Sequence, residues 1–190
     1  MNLSKKRTTL LFAIAMLSAT GSAFAADAKP STLLYISPND YNYSVHLLHP
    51  YYNYWFTQGP IVEPIAFQAL SKKYSTLAMC KNNETAESII RIKPSLFYNP
   101  QSRVYYGKLE ATVYSGSGNV LGKYIGEAQQ QGYMSVDVGI PLHLNKVYSK
   151  AMQILMTKLD AMQVPTLEKS ITMLPCGLIA SQTEQKIDYY

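Results

Sequence analysis

The sequence predicts an α+β domain. The expected form is a two-layer sandwich, an antiparallel sheet of four to five strands covered on one face by two helices. Three observations predict it. Apolar residues recur at three- and four-residue intervals in two separate segments, 61–77 and 145–163. Between them, two alternating stretches flank Gly116-Ser117-Gly118-Asn119, the composition of a hairpin turn. The resulting order is strands, helix, strands, helix, and two one-sided helices must bury their apolar stripes against a common sheet.

The chain begins with Lys5-Lys6-Arg7, an apolar run from Leu10 to Leu17, and Ala23-Phe24-Ala25. A basic start, a short apolar stretch and small residues at alternate positions are the three parts of a cleavable export signal. Residues 1–25 are therefore read as a signal peptide. Residues 26–180 form one domain, and 181–190 a flexible, polar C-terminal tail. No apolar stretch after the leader is long enough to span a bilayer. The expected location is the periplasm or the outside of the cell.

Within the domain, Leu33 to Ile36 reads as a first strand, closed by a turn at Ser37-Pro38-Asn39-Asp40. Tyr43 to His49 is a second extended piece. The aromatic run Tyr51-Tyr52-Asn53-Tyr54-Trp55-Phe56 favours strand, but lacks the alternation that would set its register. Gly59-Pro60 opens the first helix, expected to end near Leu77; proline is tolerated in a first turn. Ser88 to Lys93 is a strand, and Pro94 marks an edge or a bulge. Val104 to Ser115 and Val120 to Gln130 are the arms of the hairpin. The second helix is expected over Asn145 to Gln163, with Asn145 as its cap and Pro165 as its stop.

Charge excludes one class of partner. Of the 17 basic residues, Lys5, Lys6 and Arg7 lie in the leader, so the exported chain carries 14 against 12 acidic ones. A nearly neutral domain has no electrostatic footprint for nucleic acid. Cys80 and Cys176 are the two cysteines, and in an exported chain an even count reads as a disulfide. Such a bridge closes a loop of about 100 residues, an entropic stabilisation of about 4–5 kcal/mol at most.

No catalytic constellation stands out, and no cofactor is expected. His46 and His49 lie three apart, which on a strand places them on opposite faces, away from any shared metal. Ser115 to Gly118 lacks the strand–turn–helix setting of a nucleophile elbow. The carboxylates are scattered; Glu110 and Glu127 fall on the two hairpin arms, where pairing with Lys108 or Lys123 is favoured over a like-charged pair. Tyrosine is the compositional oddity, 16 against five phenylalanines and one tryptophan, and it is densest between Tyr41 and Phe56. Its amphipathic ring suits wet interfaces, so Tyr51, Tyr52, Tyr54 and Trp55 form the candidate binding surface. Ordinary sheet packing of the same rings is the alternative.

From Trp55 to Met162 the chain resembles the auxiliary component family of ABC-type transporters in Gram-negative envelopes. An aromatic pair, Trp55-Phe56, leads through Gly59-Pro60 into a helix. A strand at Ile89 to Ile92, a hairpin over Gly107 to Glu127 and a closing helix over Val147 to Met162 follow in the same order. The resemblance implies a small α+β sandwich and a non-catalytic accessory role beside an envelope protein such as a transporter component. The family's lipid-bearing cysteine has no counterpart here, so membrane attachment is not implied. A secreted module for glycan or lipid, using the tyrosine-rich surface, is the alternative function, and a small hydrolase a more distant one.

Overall fold

The computed structural model describes residues 30–48, 53–81, 83–132, 139–161 and 173–179. The leader 1–25, the tail 181–190, His49, Tyr51, Tyr52 and Pro165 lie outside them.

The fold is mixed α and β. Strands β1 (Thr32–Tyr35), β4 (Leu77–Met79), β5 (Ser88–Asn99), β6 (Val104–Ser115) and β7 (Val120–Gln131) form one sheet, in the order β4-β1-β5-β6-β7. Strands β2 (Ser44–Leu48) and β3 (Asn53–Thr57) form a separate antiparallel pair. The helices are α1 (Pro38–Asn42), α2 (Gly59–Ser71) and α3 (Gly139–Asp160), with one further helical turn at 176–179. The main sheet is mixed rather than antiparallel. β1 runs parallel to both β4 and β5, while β5, β6 and β7 run antiparallel.

Several boundaries differ from the sequence reading. The expected turn at Ser37 to Asp40 is the start of α1. Ser37 caps it, accepting from the Asp40 amide at 3.1 Å while its hydroxyl donates to the Asp40 carboxylate at 2.8 Å. Helix α2 stops at Ser71, and Leu77 belongs to β4. A three-residue strand has too short a pattern to show in sequence, and it forms because β1 offers a parallel edge. Helix α3 starts six residues before Asn145. Pro141 falls in its first turn, where its missing amide is no loss, and Asn145 is internal, its side-chain Nδ2 donating to the Pro141 carbonyl at 3.0 Å.

Pro94 sits inside β5, which runs straight through it, opposite Leu109. The Ser88 amide donates to Ser31 on the β1 side, so the alternate positions 90, 92 and 94 turn their amides the same way. β1 ends its pairing at Arg91. The proline therefore lies where β5 is an edge on that side, and no ladder bond is lost.

Successive strand residues point to opposite faces, and apolar clusters form on both. Leu34, Ile90, Ile92, Leu109, Ala111 and Val113 meet Val147, Ala151 and Leu155 of α3, and Val62, Ala66 and Leu70 of α2. Gly126 lets α3 come this close: a Cβ there would lie 2.1 Å from the Ala151 carbonyl oxygen. Their sequence neighbours Leu33, Ile89 and Tyr114 join Ala86, Cys176 and Ile179 in a second, smaller cluster.

Candidate functional site

The β2–β3 pair carries the aromatic run, and alternation decides which rings are available. Val45 and Leu47 are buried in the main core, and Tyr54 and Phe56 pack against it, ring centroids 6.3 Å apart. The intervening residues Ser44, His46, Asn53, Trp55 and Thr57 are all exposed. His46 lies directly across from Trp55, and the two rings stack at 4.6 Å with an interplanar angle of 15°. The Trp55 indole N–H donates to the Asn53 side-chain oxygen at 2.9 Å. The tryptophan is thus held flat at 57% exposure, where an isolated ring would swing free.

Of the four residues expected to bind, the structure places two, and they serve opposite ends. Trp55 is on the solvent side. Tyr54 points inward, where it neighbours Tyr105. The Tyr105 hydroxyl is pushed well above the ordinary tyrosine range, first by burial and then by the nearby hydroxyls of Tyr98 and Tyr54. Tyr105 packs at a tilt against Tyr98 at 4.5 Å and stacks on His143 at 5.4 Å. Desolvation, then the charge of Lys146, lowers the pKa of His143, and its Nδ1 is buried with no hydrogen-bond partner among the described residues. The inward face of the platform's strand pair therefore packs on the core rather than on a loop.

Two residues that the sequence reading did not assign to the binding surface position it. His46 supplies the second ring of the stack; only knowledge of the pairing Ser44↔Thr57 to Leu48↔Asn53 puts it across from Trp55. Gln58 is a buried polar residue at the corner between β3 and α2. Its carbonyl accepts from the Ile61 and Val62 amides, and its side-chain oxygen accepts from the Tyr148 hydroxyl of α3. Burial pushes the Tyr148 hydroxyl pKa up, so the phenol stays a donor. Gln58 fixes the base of the aromatic pair to both helices.

Elsewhere, Cys80 and Cys176 form a disulfide. Lys108 faces Glu127 at 3.6 Å, while Glu110 lies between Lys93 and Ile125, so the two carboxylates do not meet. Among the described residues no three His, Cys, Asp or Glu side chains converge as metal ligands. An open groove of ≈ 610 Å³ runs between α2 and α3 over Ile65, Ala69, Met152 and Met156. Lys73 spans its end, donating to the Leu159 carbonyl at 2.7 Å and pairing with Asp160 at 2.8 Å. No described helix is long and apolar enough to cross a membrane.

These features define a small α+β protein with one internal disulfide and an aromatic platform raised on a side pair of strands. No family description matches the chain, and no curated protein does. Among solved structures it is similar to the PelC dodecamer from Paraburkholderia phytofirmans, at 13% identity over 67% of this chain and 90% of that one, with a TM-score of 0.39. A likeness of that size says nothing about function.

Proposed function

We propose that this is an exported, non-catalytic accessory protein of the cell envelope, which works in the periplasm by holding a protein partner through Trp55 and His46. One observation carries the reading: an indole stacked, hydrogen-bonded and exposed on a strand pair whose other face is locked into the core. Preorganised aromatic rings are the residues that anchor protein interfaces, because little rotamer freedom is lost on binding. The export leader and the disulfide support the location. The resemblance of element order to transporter auxiliary components supports a transport assembly as the kind of partner. In this reading the domain is a two-layer sandwich, with α2 and α3 laid on one face of the main sheet.

The test is capture from envelope extract in mild detergent. Wild-type chain retains a partner, and Trp55→Ala loses it while its circular dichroism and melting temperature stay the same. Recovery of the chain alone, in both cases, rejects the proposal.

A second reading is a glycan-binding surface. It is favoured by the flat His46–Trp55 stack bordered by the Ser44 and Thr57 hydroxyls at the same end of the pair. Sugar rings stack on such platforms and their hydroxyls need polar neighbours. Titration of envelope polysaccharides against Trp55 fluorescence separates the two readings, since a protein-binding platform shows no saturable change.

A further inference from the structure

β7 is a twelve-residue edge strand. Within the described residues it pairs with β6 on one side and with no strand on the other. Its free edge has a definite polarity. The Gly132 amide donates to the Arg103 carbonyl across the ladder, so even-numbered residues of β7 turn their amides and carbonyls toward β6. Odd-numbered ones, from Lys123 to Gln131, turn theirs outward. The Lys158 ammonium agrees with this, because it reaches the Ile125 carbonyl from the open side.

We propose that this edge pairs with β7 of a second copy of the chain, antiparallel and two-fold symmetric about Ile125. Charge complementarity carries the inference. Lys123 and Glu127 are equidistant from Ile125, and both are exposed. In that register each lysine falls directly opposite a glutamate of the other copy, twice over. Opposite charges at facing positions stabilise a strand pair, and like charges weaken it. Ile125 meets its own counterpart, covering an exposed apolar side chain. On the helix-side face the same symmetry sets Tyr124 against Gly126 and Gly122 against Ala128, so no two large side chains collide. Because Ile125 faces outward, the two copies of it exchange both amide-to-carbonyl bonds at the axis. Lys158 holds that carbonyl in the single chain and yields it on pairing.

The run from Lys123 to Gln131 is long and regular enough to pair. The strand contains no proline, and its one register irregularity lies at its start, opposite Val113 and Tyr114. A closed, isologous dimer consumes such an edge without leading to open-ended assembly.

Sedimentation equilibrium on the full chain, purified after export, tests this by charge reversal. The wild type is expected to dimerise. Lys123→Glu and Glu127→Lys should each weaken the dimer about tenfold, since each sets like charges face to face at two places. The double reversal restores the pairing to within about threefold of wild type. Both substitutions are at exposed positions, and circular dichroism checks that folding is unchanged in all three variants. A wild-type monomer at about 100 μM overturns the proposal. So does a dimer indifferent to the single reversals, or a double reversal no better than either single one.

Discussion

The two apolar clusters divided by the main sheet are stabilised in different ways. On one side, Leu109, Ile92 and Ile90 share a cluster with residues of α2 and α3, and burial of large aliphatic side chains suffices. On the other, Leu33, Ile89 and Tyr114 are met by a few residues around Cys176 and Ile179. That small patch is fastened by other means. Cys176 is bonded to Cys80, its amide donates to the Glu84 carbonyl at 2.9 Å, and the Leu174 amide donates to Gly116 at 2.8 Å. Among the described residues this cover is small, and covalent and backbone bonds add to what its burial supplies. The difference teaches that the disulfide belongs to one face, although it closes a loop across much of the chain.

That contrast can be broken most severely from the helix side. Leu109→Ala removes a fully buried side chain beneath α3 and should cost about 4 kcal/mol in denaturant unfolding. A loss under about 1 kcal/mol would mean the helices do not rely on this core. Replacing Cys80 and Cys176 by serine should cost about 3 kcal/mol. Hydrogen exchange sharpens the comparison: the amides of Gly116 and Cys176 should lose protection while those around Leu109 to Ala111 keep theirs. Uniform loss across both faces would show that the clusters are one cooperative unit.

A smaller effect lies at the corner that joins the aromatic platform to the helix side. Tyr148→Phe leaves the buried Gln58 oxygen without its donor and should cost about 1–2 kcal/mol. The smallest is a pH dependence. His143 has a folded pKa below its ordinary value, because burial disfavours the charged form. The unfolded chain therefore binds the proton more readily. Stability is full above about pH 6.5 and falls as the pH drops through the lowered folded value. His143→Phe should flatten that acid slope, and an unchanged slope would assign it to other groups.

Much of the architecture was legible in the residues. The β6–β7 hairpin follows from alternation around Gly116-Ser117-Gly118-Asn119, and the structure's arms match the expected ones to within a residue. Both long helices are present where their periodicity places them, though α2 ends earlier and α3 begins earlier. Of the candidate site, the aromatic run marks the strand pair β2–β3 that carries Trp55, but its lack of alternation hides that Tyr54 and Trp55 fall on opposite sides.

By itself the sequence determined which segments carry a one-sided apolar face, where the main hairpin turns, and that two cysteines were available to pair. Those are local properties, set by side-chain period and by turn chemistry within a few residues. Only the tertiary structure decided that β1 lies parallel between β4 and β5, that His46 meets Trp55, and that Gln58 is bound by Tyr148. Each of these depends on which distant strand or helix supplies the partner, and a backbone edge or a buried oxygen accepts any partner of the right geometry. The pattern of one segment holds no record of that choice.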